Sequence, residues 1–341
     1  MKTSPLAALL LLASVSVAGA QDAPPKAPPG AMAPRPFEIV RLDPALDAIL
    51  APGTKLDTVA TIPGLNSEGP LWRQGRLWVS DQRGGNLYAI AMDGTFTVLA
   101  EQAGGPIDPA IRVNQGPNGQ IVDRDGSTII MRQGLRDVGR RAKDGTFSVF
   151  LRDYQGKRFN SPNDLVFSPD GCLWFTDPTF SVPQGVARDL PYAAVFRYRA
   201  GVLKPVVTDM NLPNGIALSP DGRTLYVNNS RPDMFVRAYD VSKGGELSNQ
   251  RTLVSFPADP NVRGVPDGMK VDIKGNIWTT GPGGISIISP KGKILGRIQL
   301  PTNSTNLAFG EDGHSVFFTS GATIYRLRSV VKGETPLYSD R

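Results

Sequence analysis

The sequence predicts an all-β protein, a six-bladed β-propeller, from two repeated features. A short phrase that begins with an oxygen-bearing side chain and continues with apolar residues recurs six times. The phrases are EGPLW from Glu68, NGQIV from Asn118, NDLVF from Asn163, NGIAL from Asn214, DGMKV from Asp267 and TNLAF from Thr305. Each is followed after seven or eight positions by a glycine and then by a second apolar stretch, a pattern typical of two strands joined by a turn. These turn glycines are Gly75, Gly126, Gly171, Gly222, Gly275 and Gly313.

The segment before the repeats is predicted to be a processing and tethering region. Residues 1–20 combine a lysine, an apolar run and the small-residue sequence Ala18-Gly19-Ala20, as secretory signal peptides do. We expect cleavage after Ala20 and a periplasmic or secreted protein. Residues 21–36 are rich in proline and alanine, which predicts an extended, disordered tether. The only cysteine, Cys172, cannot form an intramolecular disulfide and is predicted to be a buried packing residue.

Residues 37–341 are predicted to form a single propeller domain. The turn glycines are spaced by 51, 45, 51, 53 and 38 residues, which suits four-stranded blades with variable loops. Segments such as MDGTFTVL, KDGTFSVF and PKGKILGRI predict a further hairpin per unit. The amphipathic helices of a parallel α/β fold are missing, and residues 44–50 are the only good helical candidate. Residues 55–62 resemble a strand, which we expect to close the propeller by pairing near residues 324–327 of the last blade.

The first residues of the six phrases predict a cation site. In a propeller the innermost strand of each blade lines the central channel, so the residues that begin these strands converge there. Five of the six are carboxylates or carboxamides, and buried carboxylates are very unfavourable unless a positive charge balances them. Calcium accepts about six to eight oxygen ligands from such a mixed set. Zinc is disfavoured because the chain has one cysteine and one histidine. Any one Asn-Gly or Asp-Gly could be a simple turn, and the recurrence in one register favours the site.

The charge distribution argues against nucleic acid as a partner. The chain has 37 Lys and Arg against 31 Asp and Glu, a formal net charge of +6. The basic residues are spread along the chain, whereas a nucleic-acid surface would concentrate them beside aromatic residues. No segment approaches the length of a membrane-spanning helix. We therefore expect a small-molecule partner, without nucleic acid or membrane insertion, and the sequence leaves the oligomeric state open.

The repeats resemble those of the gluconolactonase, senescence-marker-protein (regucalcin) and luciferin-regenerating-enzyme family of six-bladed propellers. The resemblance covers nearly all of residues 37–330 and is most specific in EGPLW, RFNSPNDLVFSPDGCLWFTDP, LPNGIALSPDGRTLYV and PDGMKVDIKGNIWTTGPGGISIISPKGKILGRI. The bacterial gluconolactonase branch is the most similar. The resemblance implies one catalytic divalent cation, commonly calcium (Ca2+), with Zn2+, Mg2+ and Mn2+ as alternatives.

The resemblance also implies which residues form the site. It assigns the metal ligands to Glu68, Asn163, Asn214 and Asp267, and it makes Asn118 a further channel residue. Relatives often have CQHG where this chain has MRQG, so Gln133 stands at a histidine position. The only histidine, His314, lies in the last turn and is interpreted as a surface residue, which excludes a mechanism based on an active-site imidazole.

The resemblance, together with these residues, implies a divalent-metal-dependent hydrolase of a lactone, such as gluconolactone or a related cyclic ester. The cation would polarise the carbonyl and lower the pKa of a bound water. Asp267 is the first candidate for general base and Glu68 the second. Asn163 and Asn214 would hold the metal and help to stabilise an oxyanion. The candidate contacts for substrate hydroxyls are Asn118, Arg132, Gln133 and Arg158.

Two alternatives stay open at the level of sequence. The same ligand set serves diisopropyl fluorophosphatase, a related propeller, so a phosphotriesterase-like activity is one. A non-catalytic periplasmic propeller that binds a ligand or protein is the other. A serine nucleophile is disfavoured because the chain has no G-x-S-x-G elbow and no histidine to serve it. Asp177, in a DPTF loop, is interpreted either as part of the site wall or as the cap of a turn.

Overall fold

Each of the six phrases contributes the innermost strand of one blade in the computed structural model, which describes residues 35–339. The predicted signal peptide and residues 21–34 of the predicted tether lie outside the described residues. The last two residues of that tether belong to the described part. Arg35 donates its backbone N–H to the Pro301 carbonyl, and Gln299 donates to the Pro36 carbonyl.

The strands follow the chain in the order that the hairpins predict. Before the first blade come β1 (Glu38–Arg41), a 3-10 helix (Pro44–Ala48) and β2 (Asp57–Thr61). Blade 1 contains β3 (Ser67–Arg73), β4 (Arg76–Asp81), β5 (Leu87–Ile90) and β6 (Phe96–Ala100). Blade 2 contains β7 (Pro117–Val122), β8 (Thr128–Arg132), β9 (Asp137–Arg141) and β10 (Phe147–Leu151), and a small ribbon of β11 (Asp153–Tyr154) and β12 (Lys157–Arg158) follows it.

The remaining blades repeat this up-and-down pattern. Blade 3 contains β13 (Leu165–Phe167), β14 (Leu173–Asp177), β15 (Ala194–Arg199) and β16 (Val202–Val207). Blade 4 contains β17 (Pro213–Leu218), β18 (Thr224–Asn229), β19 (Met234–Val241) and β20 (Leu247–Phe256). Blade 5 contains β21 (Met269–Val271), β22 (Ile277–Gly281), β23 (Gly284–Ile288) and β24 (Ile294–Gln299). Blade 6 contains β25 (Asn306–Gly310), β26 (Ser315–Ser320) and β27 (Thr323–Arg328).

The circle of blades closes within blade 6, as the sequence predicts. Strand β2 is the outermost strand of that blade and pairs antiparallel with β27, with Thr58 opposite Tyr325 and Thr61 opposite Thr323. One pairing was not predicted: β1 adds a fifth strand to blade 5 by pairing with β24. The first two strands of the described chain therefore join two neighbouring blades.

Apolar side chains fill the interfaces between neighbouring blades. The interface of blades 5 and 6, for example, buries Trp278, Leu307 and Phe318. The interface of blades 3 and 4 buries Cys172, which confirms its predicted packing role. Similar clusters fill the other four interfaces, so the six blades are held by one continuous series of apolar contacts.

The turns and the one helix also match their sequence signals. All six turn glycines have positive φ angles, between 68° at Gly222 and 88° at Gly313, a conformation that glycine adopts without steric cost. The helix predicted at residues 44–50 is a 3-10 helix, which Asp43 caps by accepting the Ala45 N–H at 2.8 Å. Among residues 35–339, no helix is long and apolar enough to span a bilayer.

Candidate metal and substrate site

The six first residues of the phrases meet at one end of the central channel, and we call them the ring. Hydrogen bonds onto the main-chain carbonyls of these residues, or of Ser67 beside Glu68, cross all six junctions between blades. Three use side chains of the second strands: Ser80 to Asn118 at 2.6 Å, Thr176 to Asn214 at 2.7 Å and Asn228 to Asp267 at 2.7 Å. The others are Gly119 N–H to Asn163 at 2.9 Å, Gly268 N–H to Thr305 at 2.8 Å, and the Thr305 hydroxyl to Ser67 at 2.8 Å. The main chain of the ring is thus fixed by a closed circuit of hydrogen bonds.

The residue at the second position of each phrase limits how closely the inner strands of neighbouring blades can approach each other. In four phrases this residue is glycine. A Cβ atom on Gly215 would lie 2.2 Å from the Asp267 carbonyl oxygen, and one on Gly119 would lie 2.6 Å from the Asn163 carbonyl oxygen. Both distances are too short for a carbon–oxygen contact, so a larger residue would push neighbouring blades apart.

Two carboxylates of the ring interact electrostatically. Burial raises the pKa of Glu68 to about 7, and hydrogen bonds from Thr305 and Asn306 oppose this effect. Burial also raises the pKa of Asp267 well above its usual range, and the charge of Glu68 raises it further, while a hydrogen bond from Asn214 lowers it. Two carboxylates that interact in this way favour either a shared proton or a bound cation.

Several ring oxygens are buried without a hydrogen-bond donor. These are Oε2 of Glu68, Oδ1 of Asn118 and Oδ1 of Asn214. The Asn163 side chain belongs to the same ring and is also buried. Buried oxygens that lack a donor are unfavourable, and a hard cation or a polar ligand would satisfy them. Within residues 35–339, no group of three or more His, Cys, Asp or Glu side chains could hold a metal, so a cation here depends on the carboxamide oxygens as well.

A second layer of polar residues lies directly beneath the ring, and the sequence analysis did not predict it. The Asn306 carboxamide donates to Oε1 of Glu68 at 2.6 Å. Nζ of Lys270 donates to the Asn306 carboxamide oxygen at 3.4 Å and lies 3.6 Å from Oδ2 of Asp164. Asp164 and Asn306 occupy the second position of their phrases, where the other four phrases have glycine. That departure from the repeat is the signal that would have found them.

The predicted substrate contacts have different environments. Gln133 is buried, and its side-chain Oε1 has no hydrogen-bond donor. Its backbone N–H donates to the carbonyl of Gly116, two residues before Asn118. Arg132 is buried and forms a bidentate ion pair with Asp137, with both N–O distances 2.7 Å. Its guanidinium is therefore already satisfied within blade 2. Arg158 is exposed and donates to the Leu135 carbonyl at 3.0 Å.

The structure shows Asp177 bound to the loop of residues 160–161, a role that neither interpretation of its sequence predicts. Its carboxylate is fully buried and accepts the N–H groups of Asn160 at 2.8 Å and Ser161 at 2.7 Å. Burial raises its pKa to about 7 despite these bonds. Asp177 thereby fixes the loop that leads to Asn163. The only histidine, His314, is partly exposed in the turn between β25 and β26, at the opposite end of the inner strand from the ring.

A cavity of about 470 Å³ occupies the other end of the channel. Its walls are the later residues of the inner strands, such as Trp72 and Phe167, and residues 332–337 and 339 of the C-terminal segment. None of the six ring residues lines it, whereas Asp164, Lys270 and Asn306 do. The second layer therefore separates the ring from this cavity.

Comparisons with known proteins agree with this architecture. The family model described as SMP-30/Gluconolactonase/LRE-like region matches residues 66–322. A gluconolactonase of Zymomonas mobilis is 33% identical over 311 residues, which cover 87% of each chain. A pentonolactonase of Haloferax volcanii is 28% identical over 74% of this chain and 80% of its own length. The solved structure of a gluconolactonase from Xanthomonas campestris superposes with a TM-score of 0.75 at 30% identity, and covers 90% of this chain and 99% of its own.

The family match includes the inner and second strands of all six blades, because it begins before Glu68 and ends after β26. All six ring positions fall within it. On these observations the chain belongs to the SMP-30/gluconolactonase/LRE-like family.

Proposed function

We propose that this chain hydrolyses lactones with the help of one divalent cation held by Glu68, Asn163, Asn214 and Asp267. The observation that carries the proposal is the ring itself, in which carboxylate and carboxamide oxygens are buried at a channel end without hydrogen-bond donors. The relatives that are named gluconolactonase and pentonolactonase support the reaction class. Because these relatives act on sugar lactones by name, a sugar lactone is the first substrate to test.

The chemistry of the donor set supports a hard cation. Two carboxylates and two carboxamides suit calcium, magnesium or manganese, all of which prefer oxygen ligands. The two carboxylates would balance the charge of one divalent ion. Calcium is our first choice because it accepts neutral carboxamide oxygens in irregular geometry.

Different residues of the site are assigned the general base and the substrate contacts. A bound divalent cation supplies Lewis acidity toward a carbonyl oxygen and acidifies water. We assign the general base to Asp267, because it is less deeply buried than Glu68, which has one oxygen held by Asn306. Asn118 and Gln133, whose buried carboxamide oxygens have no donor, are suited to accept hydrogen bonds from substrate hydroxyls.

The test is turnover of a lactone panel by purified residues 21–341. Glucono-, galactono- and simple aliphatic lactones would be followed by acid release, with and without chelator and added calcium. We expect chelator-sensitive turnover that Asp267→Ala lowers by about 10²–10⁴-fold, the usual contribution of a general base. Glu68→Ala should lose both cation affinity and turnover.

The only histidine provides a matched control. His314→Gln should leave turnover unchanged, because His314 lies in a turn at the opposite end of the inner strand. A folded, calcium-loaded protein that hydrolyses no lactone would contradict the proposal. The same preparations would then be tested with phosphotriesters and by ligand-binding screens, which address the two alternatives.

We also propose that the chain is exported and cleaved after Ala20. The proposal rests on residues 1–20 of the sequence. Expression in a Gram-negative host, followed by mass spectrometry of the periplasmic fraction, should find a mature N-terminus at Gln21. An intact N-terminus in the cytoplasmic fraction would contradict it.

A further inference from the structure

The ammonium group of Lys270 lies inside the channel among three oxygen atoms. Nζ donates to the Met269 carbonyl at 2.9 Å and to the Asn306 carboxamide oxygen at 3.4 Å, and it lies 3.6 Å from Oδ2 of Asp164. These atoms come from blades 5, 6 and 3 respectively. The ammonium is therefore held between blades on different sides of the channel, directly below the ring.

The three oxygens are of the types that bind hard cations. A carboxylate, a carboxamide oxygen and a main-chain carbonyl are common calcium ligands. Asp164 is buried, with 3% of its surface exposed, and its Oδ2 accepts no hydrogen bond within the described structure. A buried carboxylate oxygen in this state needs a neighbouring positive charge, and the ammonium of Lys270 supplies it.

The repeat itself shows that the lysine is an exception. Lys270 occupies the fourth position of its phrase. The corresponding residues of the other five phrases are all apolar: Leu71, Ile121, Val166, Ala217 and Ala308. Blade 5 thus has a lysine where the other five units have an apolar residue, and its amine lies within 3.6 Å of both Asp164 and Asn306.

The cavity on the far side gives small ions a route to these oxygens. Asp164, Lys270 and Asn306 line its inner end, and the Lys270 side chain is 31% exposed. Water and ions from that side can thus reach the second layer without passing through the ring.

We propose that Asp164, Asn306 and the Met269 carbonyl form a second cation site in the channel, which the tethered ammonium of Lys270 occupies. Lys270 thereby limits the channel to one exchangeable divalent cation, the one assigned to the ring. This inference goes beyond the proposed lactonase activity, and its test does not require turnover. Removing the amine should open the second site to calcium.

The test counts calcium ions bound per chain by equilibrium dialysis at about 1–5 mM calcium, a range that detects weak protein sites. Lys270→Met should bind one calcium more than the parent chain. Lys270→Met/Asp164→Asn should lose that extra ion, because the carboxylate that holds it is gone. The same comparison in an Asp267→Asn background should again differ by one ion, which separates the second site from the ring and from the proposed activity.

Thermal unfolding provides an independent readout. Without calcium, Lys270→Met should unfold about 3–6 °C below the parent because a buried carboxylate loses its counter-charge. Calcium, or the added Asp164→Asn change, should restore most of this loss. Lys274→Met, an exposed lysine on the same blade, is the matched control and should change neither quantity.

The proposal is overturned if Lys270→Met binds the same number of calcium ions as the parent. It is equally overturned if the extra ion persists after Asp164→Asn is added. Should Lys270→Met fail to fold, Lys270→Gln keeps a polar side chain of similar length and is subject to the same two criteria.

Discussion

Glu68 and Asp267 place two carboxylates in one ring, and their raised pKa values would determine how the proposed cation binding depends on pH. Protons and cations compete for the same oxygens, so a ligand must lose its proton to bind metal. Because the pKa of Glu68 is raised to about 7, the chain without metal holds a proton there below that pH. We predict that calcium affinity falls by at least about tenfold per pH unit as the pH drops below about 7, because Glu68 must lose its proton to bind the cation.

Calorimetric calcium titrations between about pH 5.5 and 8, in buffers of different ionisation enthalpy, would check this prediction and count the released protons. Glu68→Gln should bind calcium weakly and with a flatter pH profile. An affinity that is constant across this range in the parent chain would contradict the assignment of Glu68 as a ligand with a raised pKa.

Thr176 shows how a residue outside the ring controls it. Its hydroxyl donates to the Asn214 carbonyl at 2.7 Å and accepts the Asp164 N–H at 3.1 Å. Thr176→Val keeps the shape but leaves both groups buried without a partner. We predict a loss of about 1–3 kcal/mol in the free energy of unfolding, measured in urea. Thr146→Val, at an exposed turn threonine, is the control and should cost much less.

At the scale of the strands, the close approach of neighbouring blades depends on the second-position glycines. A Cβ at residue 215 would overlap the Asp267 carbonyl, whereas one at Gly281 would meet only the Phe256 ring at 3.8 Å, an ordinary contact. We predict that Gly215→Ala lowers the free energy of unfolding by about 3 kcal/mol and weakens cation binding, because it displaces Asp267. Gly281→Ala should be nearly neutral. Similar urea midpoints for the two variants would contradict the argument.

The regular parts of the blades could be predicted from the sequence because they repeat. The first residue of each phrase and the turn glycine recur seven or eight positions apart in every unit, and all six inner strands were predicted from them. Strand β1 was not predicted, because four residues between prolines and a 3-10 helix give no pattern of their own. Its identity as a strand depends on the edge of β24, which lies about 250 residues later in the chain.

The site was predictable to the same extent and for the same reason. The ring positions follow from the repeat. Asp164, Asn306 and Lys270 differ from the residues at the same positions of most other units, so an analysis based on repeated features does not find them. The sequence also could not show that Arg132 forms an ion pair with Asp137, since this ion pair depends on the pairing of β8 with β9.

For the whole molecule, we expect stability to depend on the pairing of β2 with β27, which closes the propeller. The hydroxyl oxygens of Thr61 and Thr323 lie 3.2 Å apart on directly paired residues that are separated by 262 positions in sequence. We predict that Thr61→Cys/Thr323→Cys forms a disulfide that raises the free energy of unfolding by about 2–4 kcal/mol.

The reduced double variant is the internal control, since it differs only in the cross-link. Cys172 is buried between blades 3 and 4, so it should not compete for the new cysteines. Thermal unfolding with and without reductant would measure the effect. Equal transition temperatures in the two states, with the disulfide confirmed by mass spectrometry, would show that opening of this closure does not limit stability.

The closed circuit of hydrogen bonds onto main-chain carbonyls of the ring has a consequence for the ion selectivity of the proposed cation site. Because the inner strands of adjacent blades approach each other at main-chain carbonyls and glycines, the radius of the ring is set mainly by the backbone. Discrimination between ions of different ionic radius must then come from the lengths of the ring side chains. Exchanging Glu68 for the shorter Asp, or Asp267 for the longer Glu, would shift the preferred ion size while the propeller itself stays the same.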